Sequence, residues 1–241
     1  MVANWFWPPD SGWLVVATTA GLVAGWLAVL TVRWLPPWLV AQWVREAADL
    51  ASYPLAVRER RTQGQAHRRQ WRSIGLVLAT VLLFAACLLR LGPGPAAWAA
   101  MGLCAVLLAL TCIDLNESLL PDILTLPLLW CGLLLNAGWQ LFATPASAVF
   151  GAAGGYAILW LLTKAFAGLT GKEGMGQGDF KLLAALGAWF GWAALPSLLL
   201  VSAMCGSAMG LYLRWRRGRL YSPYGPGLAL AGVFVLFGGP A

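Results

Sequence analysis

The chain has 241 residues, of which 60% are apolar and only 10% charged, and it carries a net charge of +7. With a mean hydropathy of +0.73, it has too little polar surface to clothe a soluble domain. This excludes a water-soluble globular fold and indicates an all-α, polytopic membrane helical bundle. The positive charge does not point to a nucleic-acid partner, because the basic residues fall in short segments between apolar spans, as cytoplasmic loops do.

In chain order, eight apolar segments are expected to cross the membrane: 13–32, 74–91, 96–113, 123–142, 149–168, 180–192, 194–213 and 224–238. Several fall short of the ~20 residues needed to cross about 30 Å of hydrocarbon. The segment 180–192 is therefore expected to tilt or to join its neighbour at Pro196. Before the first span, residues 1–11 hold Asp10 as their one charged side chain. Without a basic n-region and a small-residue cleavage site they do not form a typical cleaved signal peptide. Residues 33–73 read as the main polar loop, with Arg45, Arg58, Arg60, Arg61, Arg68, Arg69 and Arg72 against Glu46, Asp49 and Glu59. Part of that loop, around 39–50, has the pattern of an amphipathic helix, and His67 reads as solvated. Gly92-Pro93-Gly94-Pro95 forms a tight turn between two spans.

Charge orients the spans. With the N-terminus outside, the inside segments are 33–73, 114–122, 169–179 and 214–223. Of the 16 Lys and Arg, only Arg90 lies away from them, so the positive-inside rule is met. That orientation puts Asp114, Asp122 and Asp179 at the cytoplasmic face.

Asp179 follows Gly174-Met175-Gly176-Gln177-Gly178 and precedes an apolar run, so a carboxylate stands at the mouth of a membrane helix. Acids at that depth are rare unless they face a wet cavity or a partner, and each is a functional-site hypothesis by default. The glycines admit close approach and positive φ where the loop bends into the helix. A phosphate cradle is a weak reading, because Gly-x-Gly lacks the rest of a dinucleotide fingerprint and no strand precedes it. A second acid, Asp114, closes the span 96–113, and Asp122 opens the next one after Pro121. Two neighbouring carboxylates resist ionising together. The pair can hold one proton, activating water with its charged member and protonating a substrate with its neutral one, which is the chemistry of an aspartyl peptidase. Asp122 has a structural alternative, capping the free N–H groups of a helix start. Lys181, beside Asp179, either lowers the pKa of that acid or snorkels to the interface.

These motifs resemble the type IV prepilin peptidases of bacteria. Asp114 with Leu119-Leu120-Pro121-Asp122 and Thr125-Leu126-Pro127 is similar to the family's first signature. Gly176-Gln177-Gly178-Asp179-Phe180-Lys181 is similar to its second, Gly-x-Gly-Asp. Pro223-Tyr224-Gly225-Pro226 is a weaker third match, and Gly21, Gly25, Arg33 and Leu35-Pro36 resemble the family's first helix. The resemblance implies that Asp114 and Asp179 are the catalytic pair, with Gly176, Gly178, Lys181 and Asp122 in the active-site loops. It implies prepilin or pseudopilin substrates of a type IV pilus or type II secretion system, cut after a glycine at the cytoplasmic side of the inner membrane. It also implies N-methylation of the new terminus with S-adenosylmethionine. On this reading 1–95 is a methyltransferase-like region and 96–241 the peptidase domain. One departure is that many members carry two Cys-x-x-Cys pairs in the first loop, a zinc-type spacing, whereas residues 34–73 hold no cysteine. No zinc is expected, and the methyltransferase reading weakens while the peptidase reading does not. The residues that would bind the cofactor are not identifiable, although Glu46, Asp49 and Glu59 offer polar partners. The basic loop can instead serve as a contact for anionic lipid.

The other features have packing explanations. Cys87, Cys104, Cys112, Cys131 and Cys205 all lie in or at the ends of apolar spans. Trp5, Trp7, Trp13, Trp34, Trp38, Trp189, Trp192 and Trp215 read as an interfacial belt. Small residues over 151–155, with Gly206 and Gly210, suit close helix packing. Glu117, Lys172 and Glu173 read as loop charges. Two rival functions remain open at this level: another Gly-x-Gly-Asp intramembrane peptidase, and a proton-coupled transporter, the latter disfavoured by the lack of a visible inverted repeat.

Overall fold

A computed structural model describes residues 18–32, 66–117, 119–171, 176–217 and 224–238, with a few single positions before residue 35. The arginines of 35–65, Glu46, Asp49, Glu59, Lys172, Glu173 and Gly174 lie outside the described residues, as does the expected amphipathic helix near 39–50. The described residues form a polytopic helical membrane bundle of eight helices: α1 (Thr18–Val32), α2 (Ala66–Leu91), α3 (Pro95–Glu117), α4 (Asp122–Trp139), α5 (Pro145–Thr170), α6 (Gln177–Phe190), α7 (Leu195–Arg217) and α8 (Gly225–Gly238). Five of them, α2 to α5 and α7, are long and apolar enough to cross a membrane.

Several boundaries differ from the sequence reading. Helix α2 starts at Ala66, inside the basic run, while its membrane-spanning part is Ile74–Leu91, as the sequence reading expects. Helix α3 runs one turn past Ile113, so Asp114 lies within it rather than at its end. The segment 180–192 does not merge with its neighbour. Gly191, at φ +81°, turns the chain, and a 3₁₀ turn over Trp192–Ala194 intervenes before α7.

The chain divides into two compact units, one ending at Pro93 and one starting at Gly94. In the first, α1 and α2 meet through glycines. A Cβ on Gly25 would stand 2.9 Å from the Val77 Cα, and one on Gly21 would stand 3.0 Å from the Val81 Cα.

In the second unit α6 is the central element, packed against α4, α5 and α8. It is buried from Asp179 to Trp189 with Lys181 as the exception, as expected of a helix apolar on every side. At 1.5 Å per residue its length is about 21 Å, less than the hydrocarbon thickness of about 30 Å. Lipid gives helices no hydrophobic reason to associate, so close packing must hold them. Here α5 and α6 meet backbone to backbone at Gly151 and Gly187, where neither position has room for a Cβ. A Cβ on Gly155 would likewise stand 2.8 Å from the Leu183 carbonyl oxygen.

The far end of α6 is clamped by polar contacts. Asn136 of α4, fully buried, donates from Nδ2 to the carbonyls of Ala188 and Trp189, both at 2.9 Å. Its Oδ1 accepts from the amides of Phe142 and Ala143. Both amide protons and the carbonyl oxygen are thus used, as a buried Asn requires. Trp189 is not part of an interfacial belt. Only 2% exposed, it donates from Nε1 to the Leu128 carbonyl at 2.8 Å, in a slot that Gly132 leaves open. Trp34, Trp192 and Trp215 are well exposed.

Candidate active site

The near end of α6 carries Asp179, and the register of α3 brings Asp114 to meet it. On α3 the buried stripe runs Ala97, Ala100, Cys104, Leu107, Leu110 and Asp114. Steps of three and four keep one helix face inward, so Asp114 occupies a core position and is 5% exposed. Asp179 is the third residue of α6 after the N-cap Gly176 and is 8% exposed. Its carboxylate accepts from the Gly176 amide and lies close enough to Asp114 for the two to interact electrostatically. An acid at the third position reaching back to the cap amide is half of a capping box, which fixes the side chain at the helix mouth. Asp114 is held from a different quarter. Its Oδ2 accepts from the Gly225 amide at 3.0 Å, at the start of α8.

Leu120 fits between these elements. A Cβ on Gly178 would stand 2.7 Å from the Leu120 Cβ, and one on Gly225 would stand 3.3 Å from a Leu120 methyl. Gly178 therefore serves close approach. Neither Gly176 nor Gly178 has positive φ, so the conformational role expected of them does not hold. The capping role expected of Asp122 does not hold either. Pro121 is the N-cap of α4 and no side chain caps it. The Asp122 carboxylate instead pairs with Lys181 Nζ at 2.6 Å, with the two side chains 54% and 26% exposed. Lys181 thus neither neutralises Asp179 nor stands free at the interface. Its ion pair ties the start of α4 to the start of α6, at about 0–1 kcal/mol for an exposed pair. The side chain of Glu117 is outside the described residues. Among the described residues no cluster of three or more His, Cys, Asp or Glu is placed to hold a metal ion.

Comparison with known proteins reads the same residues from another side. A family model described as the type IV leader peptidase family matches residues 101–211. A prepilin leader peptidase/N-methyltransferase of Burkholderia pseudomallei is 38% identical over 96% of this chain and 87% of its own length. The chain belongs to the type IV leader peptidase family. A protein of the same name from Dickeya chrysanthemi is 36% identical over 93% of this chain and 92% of its own. Another from Aeromonas hydrophila is 54% identical over 67% of this chain and 57% of its own. No solved structure matches. The leader peptidase match contains Asp114, Asp122, Asp179 and Lys181 but stops short of α8, whose Gly225 amide holds Asp114. Sequence reading noted Gly225 only within a weak motif and missed its contact, because a backbone donor leaves no side-chain signature.

Proposed function

We propose that this chain is a membrane aspartyl endopeptidase that removes the leader peptide of type IV prepilins or type II secretion pseudopilins at the cytoplasmic face of the inner membrane. The observation that carries the proposal is a pair of interacting, buried carboxylates, Asp114 and Asp179, in a member of the leader peptidase family. One carboxylate, ionised, takes a proton from water as the water oxygen adds to the scissile carbonyl carbon. The other, protonated, gives its proton to the carbonyl oxygen. The tetrahedral adduct then collapses, the C–N bond breaks, and a proton held by the pair passes to the leaving nitrogen. Residues 96–241 form the peptidase domain on this reading, and membrane lipid surrounds it.

The positive-inside pattern supports a cytoplasmic site with both termini outside. An alkaline-phosphatase fusion after Gly64 is expected to be inactive. An active fusion would place that loop in the periplasm and the acids on the wrong side for a cytoplasmic leader.

The relatives' names include N-methyltransferase, and we extend that activity to the region 1–95, with S-adenosylmethionine as methyl donor. The acidic residues offered above as polar partners for its ribose or amine, Glu46, Asp49 and Glu59, lie outside the described residues. No step here runs through that cofactor. The mature pilin should emerge methylated when S-adenosylmethionine is saturating, as read by mass spectrometry of its N-terminus. A cleaved, unmethylated product would make the chain a peptidase alone.

A further inference from the structure

Helix α8 reaches the site through its first amide. Tyr224 precedes the helix, and its carbonyl accepts from the amides of Gly227 and Leu228, at 3.0 and 3.2 Å. The Gly225 N–H is therefore one of the donors that a helix start leaves without an intrahelical partner. It is buried and meets the Asp114 carboxylate. A Cβ at residue 225 would stand 2.5 Å from Asp114 Oδ2. What would yield is the carboxylate, the mobile end of its side chain, so the cost falls on its direction rather than on helix packing.

The position of this amide is itself fixed. The Ser202 hydroxyl donates to the Leu199 carbonyl at 3.0 Å. Having one proton, it must accept from the Tyr224 hydroxyl 2.9 Å away. The Tyr224 ring lies over Gly206, where a Cβ would stand 3.0 Å from it, and a Cβ on Gly227 would stand 2.9 Å from the Ser202 carbonyl oxygen. Helix α7 thus sets both the height and the rotation of the α8 start.

From this geometry we infer that Gly225 is a positioning residue for the reaction: its amide aims the Asp114 carboxylate, and the Tyr224–Ser202 bond holds that amide in place. The inference rests on the peptidase reading. In the reaction it separates binding from chemistry, because the prepilin can bind while one acid points away from the scissile bond. Misplacing a reacting group by about 1 Å can cost about 100-fold in rate.

The test uses the full-length chain in detergent with a purified type IV prepilin, measuring kcat, KM and unfolding temperature. Gly225→Ala should lower kcat by about 100-fold with KM and unfolding temperature unchanged. Gly102→Ala, at a position with open space around it, should behave as wild type. Tyr224→Phe should lower kcat several-fold, again without a change in KM or unfolding temperature. Wild-type kcat in Gly225→Ala would overturn the inference alone. If Gly225→Ala unfolds at lower temperature, Tyr224→Phe decides, and an unchanged kcat there overturns it. A wild-type chain that leaves the prepilin intact overturns the peptidase reading, and this inference with it.

Discussion

Asp114→Asn and Asp179→Asn should each reduce prepilin cleavage by about 10²–10⁴-fold, the range that general acid–base catalysis contributes. Asn keeps the volume and can still accept from the amides of Gly225 and Gly176, so both variants should reach the membrane in normal amount. What they lose is the ability to take up and release a proton. Asp122→Asn is the contrast. Its carboxylate is 54% exposed and pairs with Lys181, so the change removes about 0–1 kcal/mol of ion pairing and should leave most of the turnover. Cleavage rates at matched expression distinguish these outcomes. An inactive Asp122→Asn beside an active Asp114→Asn would reassign the pair.

Gly187→Ala should be strongly destabilising to the second unit. The new Cβ would be driven into the carbonyl of Gly151, a backbone group locked in α5 that cannot rotate aside. The two helices must separate, and overpacking of this kind costs about 1–3 kcal/mol or more. Because α6 carries Asp179, the separation should also reduce activity. Gly154→Ala is the matched control, since its Cβ would meet only a methyl of Leu195 at 3.2 Å, and a methyl can give way. Thermal unfolding in detergent should show a clear drop for Gly187→Ala and a small one for Gly154→Ala. Equal unfolding temperatures would contradict the backbone contact.

Much of this arrangement was legible in the sequence. The apolar segments coincide with helices among the described residues, five of them long and apolar enough to cross a membrane, and two acids embedded in apolar runs marked a candidate site, because a carboxylate in such a run demands an explanation. Small residues near 151 announced close packing, though not that Gly187 would be the partner. What stayed hidden depends on tertiary contact. Lys181 stands two residues from Asp179 in sequence, yet its partner is Asp122, 59 residues away. Trp189 resembled a belt residue because it lies near the end of an apolar run, while only the fold reveals the slot opened by Gly132. The tie between Gly225 and Asp114 spans 111 residues, and its donor is an amide that any residue but proline would possess. The end of α3 is misjudged from sequence where Asp114 reads as a stop. Helix α3 continues through Asp114 because that carboxylate finds a partner in the Gly225 amide.

The central claim is that Asp114 and Asp179 together hydrolyse a prepilin leader. The most direct measurement is the mass of a purified type IV prepilin after incubation with the full-length chain in detergent, beside the Asp179→Asn variant. The predicted result is a pilin shortened by its leader with the wild-type chain and an intact precursor with the variant. An intact precursor with folded wild-type protein, or equal cleavage by both, would contradict it.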